Sequence, residues 1–475
     1  MARINTNVAA LTAQRGLARN QNTLNDTMQR LSSGLRINRG ADDPAGLIAS
    51  EGLRSEMSGI TQAIDNSQRA SNVISTTEGA LTEVASLLLN IKSMIVQAAN
   101  TGGMSPEEIE ANQLQVDSAV ESITRISNTT TFAGLQLING SLDYLTSGVA
   151  TSAIKSLNIS QANFGNNSTI PVQINVLTSA KTADLQFRTS AITESVTLEI
   201  TGNDGVQVLT FTSGTAASAI AYGVNRISDS TGVIATGISS ANATSGISFK
   251  SNEFGAKRFV SITAQSGDFT TTDAEGNVKG RVTGQDAVAT INGALTVGDG
   301  RNLKINTTTL DLELTLDKAF GLGQKAFAIT GGGALFQLGQ AVNFNQQVNI
   351  GIQSVAASKL GDFETGFLND IVTGGNSTLV GGKTQDASAI IEKAIRQVSV
   401  LRGRLGAFEK NTLDTNMNSL SVALENVTAS ESTIRDADFA KETSALTRAQ
   451  ILTQAGTSVL STANQTPQQV LSLLG

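Results

Sequence analysis

A chain of 475 residues is long enough for several domains with cores of their own. Charged residues are sparse at 15% and the net charge is −7, a balance that argues against nucleic acid as a partner. There is no Cys, His or Trp, which excludes disulfides, most zinc sites, Cys-His and Ser-His-Asp nucleophile systems and the commonest neutral-pH general base.

No enzyme activity and no cofactor are therefore expected. The opening Met-Ala-Arg-Ile-Asn-Thr-Asn-Val lacks the basic and apolar regions of a secretory signal. No run of about 18 uninterrupted apolar residues marks a membrane span, so no membrane partner is expected.

The first helix reads from about Asn5 to Ser33. Ile4, Val8 and Leu11, then Leu24, Met28, Leu31 and Leu35, step at coiled-coil spacing with one slip bridged by Leu17 and Ala18. Ser33-Gly34 suits a left-handed stop. The stretch from Arg36 through Arg39, Asp42 and Asp43 to Pro44 reads as a link. Asp43 caps the next helix and Pro44 takes its first position.

The second helix runs to about Asn100. Its seam is Leu53, Met57, Ile60, Ile64 and Ile74, continued by Leu81, Val84, Leu88, Ile91, Ile95 and Ala98. A third helix opens on a capping box, Ser105 with Glu108, with Pro106 between them, and ends near Ser127.

From about 130 to 385 the character changes. Thirteen of the 16 Phe lie between Phe164 and Phe367, and the stretch is rich in Gly, Thr and Ser, as expected of β structure with turns. A short hairpin is expected over Phe132–Gly140 and a longer one where Val196–Ile200 meets Val206–Phe211 across Gly202-Asn-Asp-Gly205. Further strands are expected at 247–249, 259–262, 289–291 and 310–316. The Gly321 and Gly331 clusters lack the Lys-Ser/Thr of a phosphate loop. Asp273-Ala-Glu-Gly276 lacks the remaining calcium ligands and reads as a turn, so no metal is expected.

Helical spacing resumes with Ile391, Ala394, Val398, Leu401, Leu405 and Phe408. After a slip of five it continues through Leu413, Met417, Leu420, Leu424 and Val427. The final helix, about Ala437 to Ala463, is expected to return beside the first through Phe439, Leu446, Leu452, Ala455 and Val459. From Ala449 to Gly475 there is no Asp, Glu, Lys or Arg. A polar but neutral face suits a repeated, confined environment in which like charges from neighbouring copies would accumulate, and so suggests self-assembly.

Several stretches closely resemble bacterial flagellin. At the N-terminal end these are Ile4-Asn-Thr-Asn7, Leu31-Ser-Ser-Gly-Leu-Arg-Ile-Asn38, Ala41-Asp-Asp-Pro-Ala-Gly46, Gln68-Arg-Ala-Ser-Asn72 and Thr77-Glu-Gly-Ala-Leu81. At the C-terminal end they are Ser432-Thr-Ile-Arg-Asp-Ala-Asp438, Ala449-Gln-Ile-Leu452 and Ala463-Asn-Gln465.

The resemblance implies a multidomain α plus β filament subunit for motility, a helical homopolymer located in the extracellular flagellar filament. Residues 1–44 and 435–475 would form an inner coiled-coil layer, and 45–145 with 380–434 a helical rod carrying the small hairpin. Residues 146–379 would be a β-rich surface insertion. It also implies type III export without cleavage, terminal segments that order on assembly, and an export chaperone, a cap and hook-junction proteins as partners. A hook–filament junction protein is the alternative, disfavoured by the large insertion. Lys92, Met94, Val96 and Gln97 fit a stretch read in many flagellins by an innate-immune receptor, but Asn90 stands where the family pattern has arginine and Gln115 where it has glutamate, so weak recognition is expected.

Overall fold

A computed structural model describes residues 6–165, 167–238 and 246–474, with side chains as far as residue 466. The helices in chain order are α1 (Val8–Ser33), α2 (Pro44–Ala98), α3 (Pro106–Thr129), α4 (Ala217–Asn225), α5 (Ser228–Thr231), α6 (Thr384–Phe408), α7 (Thr415–Arg435) and α8 (Phe439–Leu474). The chain divides into two compact units, one of residues 1–70, 337–342 and 410–475, the other of 71–336 and 343–409.

Local chemistry explains several helix ends. Asn7 caps α1 by accepting from the Ala10 N–H, two residues later than the expected start, and Gly34 ends it at φ 73°. Asp43 Oδ1 accepts from the Gly46 N–H at 2.9 Å, so Pro44 opens α2 where its missing N–H costs nothing. The Ser105–Glu108 capping box is formed in both directions, and α3 continues to Thr129, past the expected Ser127. The final helix departs more: α8 begins at Phe439 and continues to Leu474, well beyond the expected Ala463. The expected span from Ile391 to Ile434 is not one α-helix either. A π-helical turn, Glu409–Asp414, separates α6 from α7. The slip of five from Phe408 to Leu413 is this turn, because one extra residue per turn brings Leu413 back to the buried side.

In the first unit the leading half of α2 runs antiparallel to α7. Arg435 pairs with Glu51 at 3.3 Å, Thr428 donates to the Met57 sulfur at 3.2 Å, and Asn416 donates to Ser67 Oγ at 3.2 Å. Asn416 also donates to the Leu338 carbonyl at 2.8 Å, which ties down the 337–342 segment.

In the second unit, Leu81, Val84, Leu88, Ile91 and Ile95 of α2 are buried, as are Ile391, Ala394, Val398, Leu401 and Leu405 of α6. Burying one such side chain contributes about 1.5–3 kcal/mol. By length and composition a stretch of α2 would pass as a membrane span, with mean hydropathy 1.4. Its buried residues, Leu81, Val84, Leu88, Ile91, Ile95 and Ala98, recur at helical spacing, which makes a packed seam on one side of the helix. From α3, Gln113 donates to the Ile371 carbonyl at 2.9 Å and accepts from the Leu379 N–H at 2.8 Å, fixing the loop that precedes α6.

The same unit contains two antiparallel β-sandwiches. The first packs a five-stranded sheet, ordered Ala294–Leu295, Val288–Ile291, Ile170–Thr178, Gly323–Gly332 and Tyr144–Ser147, on a four-stranded one. The latter is ordered Val297–Asp299, Asn302–Asn306, Leu310–Leu316 and Ile154–Ala162. Val172, Ile174 and Phe327 meet Leu303, Leu312 and Leu314 in the shared core. The second sandwich buries Leu198, Ile200, Phe249 and Ile262, and α4 lays Ile220 and Val224 into it. The 196–201 and 206–211 hairpin forms as expected. The Asp273 loop is a turn: its carboxylate accepts from the Asn277 N–H at 2.8 Å and pairs with Lys279 at 2.9 Å.

Candidate assembly surface

Helices α1 and α8 pack antiparallel in the first unit. Asn7 donates to the Ala463 carbonyl at 2.7 Å, Asn20 to the Leu452 carbonyl at 3.2 Å, and Arg30 meets Glu442 at 3.4 Å. The shielded positions of α1 are Ala10, Ala13, Leu17, Asn20, Leu24, Thr27 and Leu31. Those of α8 are Glu442, Ala445, Leu446, Ala449, Thr453, Gly456, Leu460 and Ala463. The α1 set steps by 3 and 4 throughout, and so does the α8 set apart from the adjacent pair Ala445 and Leu446, the spacing of an interhelical seam.

This seam is not the one the large apolar residues predict. Leu24, Leu31 and Leu446 do face the partner helix, and Leu35 is half-buried beyond the end of α1. Val8, Leu11, Met28, Phe439, Leu452 and Val459 are instead 46–60% exposed. Ile4 lies outside the described residues. The seam alternates small residues, Ala10, Ala13, Thr27, Ala449 and Gly456, with Leu17, Leu24, Leu31, Leu446 and Leu460; the small residues let the two backbones approach, and Val8, Leu11, Leu452 and Val459 fall off this stripe. The sequence reading also missed Ile48 and Ile451, which are 75% and 63% exposed. Along α8 from Ala449, Gln450, Gln454, Thr457, Ser461, Asn464 and Gln465 are exposed and neutral, whereas Thr453 turns inward. Gln468 and Gln469 lie outside the described side chains.

The link is fixed by pairing with its C-terminal counterpart. Arg36 N donates to the Arg435 carbonyl at 2.7 Å, and Ala437 N donates to the Gly34 carbonyl at 2.9 Å. Leu35 and Asp436 form the bridge between them. Arg36 also pairs with Asp43 at 3.5 Å, and Arg39 with Asp26 at 3.5 Å. The Arg39 and Asn38 N–H groups donate to the Asp42 carboxylate and hold its pKa below the usual range. Ile37, wholly buried, anchors the link, and its only signal in the sequence is an isolated apolar residue among polar ones.

In the second unit, Lys92 pairs with Glu392 at 3.0 Å, Met94 is half-buried, and Val96 and Gln97 are exposed. Asn90, Met94 and Gln115 line one open groove of about 480 Å³ between α2 and α3, so the two departures from the family pattern share a surface.

Residues 4–143 match the bacterial flagellin N-terminal helical region, and residues 388–474 match the C-terminal helical region. Flagellin from Salmonella rubislaw is 31% identical over 502 residues, covering 99% of this chain and 99% of that one. The chain belongs to the bacterial flagellin family. Flagellin B from Vibrio anguillarum is 30% identical over 472 residues, and B-type flagellin from Pseudomonas aeruginosa is 30% identical over 527, each covering 99% of both chains. A flagellin is a structural protein, and this one is a subunit of the extracellular flagellar filament. The full-length matches do not favour the hook-junction alternative. Among solved structures, FliC from Burkholderia pseudomallei aligns with 72% of this chain and 99% of its own at 15% identity, but a TM-score of 0.25 carries no argument.

Proposed function

We propose that the subunit polymerises through the apolar positions that the α1–α8 pair leaves uncovered. The observation that carries this reading is the exposure of Val8, Leu11, Met28, Phe439, Leu452 and Val459 in a helix pair already closed by a seam that does not include them. Burying each of them on a neighbour contributes about 1.5–3 kcal/mol. Met28 and Leu11 point to different sides of α1, which suits contact with more than one copy. The α8 surface from Ala449 onward, which carries no charged residue, supports the same reading, since it can be repeated at close spacing without like-charge repulsion.

In this account 1–44 and 435–475 form the inner layer, 45–145 and 380–434 the helical rod, and 146–379 the outward insertion, with the Arg36–Pro44 link between the first two. The terminal helices would also meet the cap, the hook-junction proteins and, before assembly, an export chaperone. The absence of His and Cys supports a role without catalysis.

The test is a Leu452→Asp, Val459→Asp double variant, compared with the unmodified chain by sedimentation and electron microscopy. The unmodified subunit is expected to grow long filaments and the double variant to stay in the supernatant with its β content intact. Filaments formed by both at the same protein concentration would overturn the proposal.

A further inference from the structure

The two sheets of the first β-sandwich share one core and present very different outer faces. On the four-stranded sheet, Lys304 stands opposite Glu313, with Asp311 two residues along the same face. The second sandwich carries Glu199 and Arg281 outward. The outer face of the five-stranded sheet is different. Alternation along the Ile170–Thr178 strand buries Val172, Ile174 and Val176, and turns Gln173, Asn175 and Leu177 outward. The register continues that face across the sheet, with Leu295 opposite Thr290, Thr290 opposite Asn175, and Asn175 opposite Gln324. Among the described residues, no Asp, Glu, Lys or Arg alternates onto it, since Lys325 takes the parity of the core residue Phe327. Leu145, Leu177 and Leu295 are 64%, 51% and 66% exposed there.

A solvent face with no charge and three exposed leucines has the composition of an interface core, whose distinguishing mark is depletion of charge. We infer that this sheet face packs against a second copy of the chain in the filament. The occupant follows from two observations. The subunit carries −7, so copies brought close together repel except where the surface is neutral, and this face is as neutral as the stretch of α8 that begins at Ala449. Its area is also small. Its 29 strand residues, at strand spacing and rise, give roughly 450 Å², against roughly 800 Å² per partner in a stable pair. Such a patch cannot hold two free subunits together. It closes when the terminal helices already hold copies at high effective concentration. The inference rests on the filament-subunit reading and extends it to the insertion.

Hydroxyl-radical footprinting with mass spectrometry, on free subunits and on filaments regrown from the same purified chain, tests it. The expected result is that Leu145, Leu177 and Leu295 oxidise several-fold more slowly in filaments, while the exposed Val206 and Val208 keep their rates. A Leu145→Glu, Gln173→Glu, Gln324→Glu variant should still polymerise through its termini, with Leu177 and Leu295 returning to the free-subunit rate. Filaments in which all three leucines oxidise as in free subunits would overturn this inference and leave the family reading standing. Failure of the unmodified chain to form filaments would instead strike the reading beneath it. Protection confined to filaments taken from cells would assign the face to another component and would also overturn the proposal.

Discussion

Leu17 lies directly against Gly456, so closely that a Cβ at position 456 would sit 3.3 Å from Leu17 Cδ1. The contact sets how near α1 and α8 approach at the middle of their seam. A Gly456→Val substitution adds volume there and should destabilise the helix pair by about 1–3 kcal/mol, despite the better helix propensity of the new residue. Thermal depolymerisation of filaments should occur several degrees lower. An unchanged midpoint would mean that the pair is not packed through this seam.

Arg404 reaches from α6 to the first sandwich, donating through Nη1 to Ser160 Oγ at 2.7 Å and through Nη2 to the Gly351 carbonyl at 2.6 Å. Burial lowers its pKa, opposed by the charges of Asp311 and Asp143. Beside it, Tyr144 Oη donates to the Asn349 carbonyl at 3.1 Å and accepts from the Ala162 N–H at 2.8 Å. Arg404→Ala should cost about 2–4 kcal/mol, because it removes the donor from the Gly351 carbonyl and the half-buried Ser160 hydroxyl. Urea denaturation of the full chain, followed by tyrosine fluorescence, measures the loss.

The Gly361–Asp362 strand is held to α6 by two hydrogen bonds with Gln397 and by Lys393 at 2.8 Å from Asp362. Burial pushes the Asp362 carboxyl up, but Lys393 and the Thr365 N–H and hydroxyl outweigh it and bring the pKa to about 2. A carboxyl depressed on folding contributes stability above its unfolded pKa and loses it as pH falls through the folded one. The contribution should therefore disappear between about pH 4 and pH 2. Asp362→Asn should remove about 1–2 kcal/mol near neutrality and flatten that part of the stability–pH curve, read by denaturant titration at several pH values.

Asn90 and Gln115 face the same groove, so the proposed weak immune recognition has a local cause that can be reversed. Asn90→Arg with Gln115→Glu should raise the response of receptor-reporter cells above that of the unmodified chain. An equal response from the two proteins would remove this explanation.

Much of the helical architecture was legible because its signals are local. Gly34, Asp43-Pro44 and Ser105-Pro106-Glu107-Glu108 are read from a few adjacent residues, and the slip before Leu413 already carried the π-turn. The face joining α1 to α8 was not legible. Its Ala10, Ala13, Thr27, Ala449 and Gly456 carry little hydrophobic weight, while Val8, Leu11, Leu452 and Val459 carry more and lie outside. In the insertion, the Ile154–Ala162 strand was missed because bulges opposite Asp311–Leu312 and Thr315–Leu316 break its alternation. Helix α4 was missed because nine residues are too few to establish a helical period amid strands. The charge-free sheet face needs the register of five strands from distant parts of the chain, which no single stretch encodes.

The most direct test of the account is amide hydrogen exchange across Val8–Ser33 and Phe439–Leu474, measured on the free subunit and on the filament. If uncovered apolar positions on these helices build the polymer, their amides should exchange orders of magnitude more slowly after assembly, while the core strands of the sandwiches change little. Equal protection of both helices in the two states would contradict it.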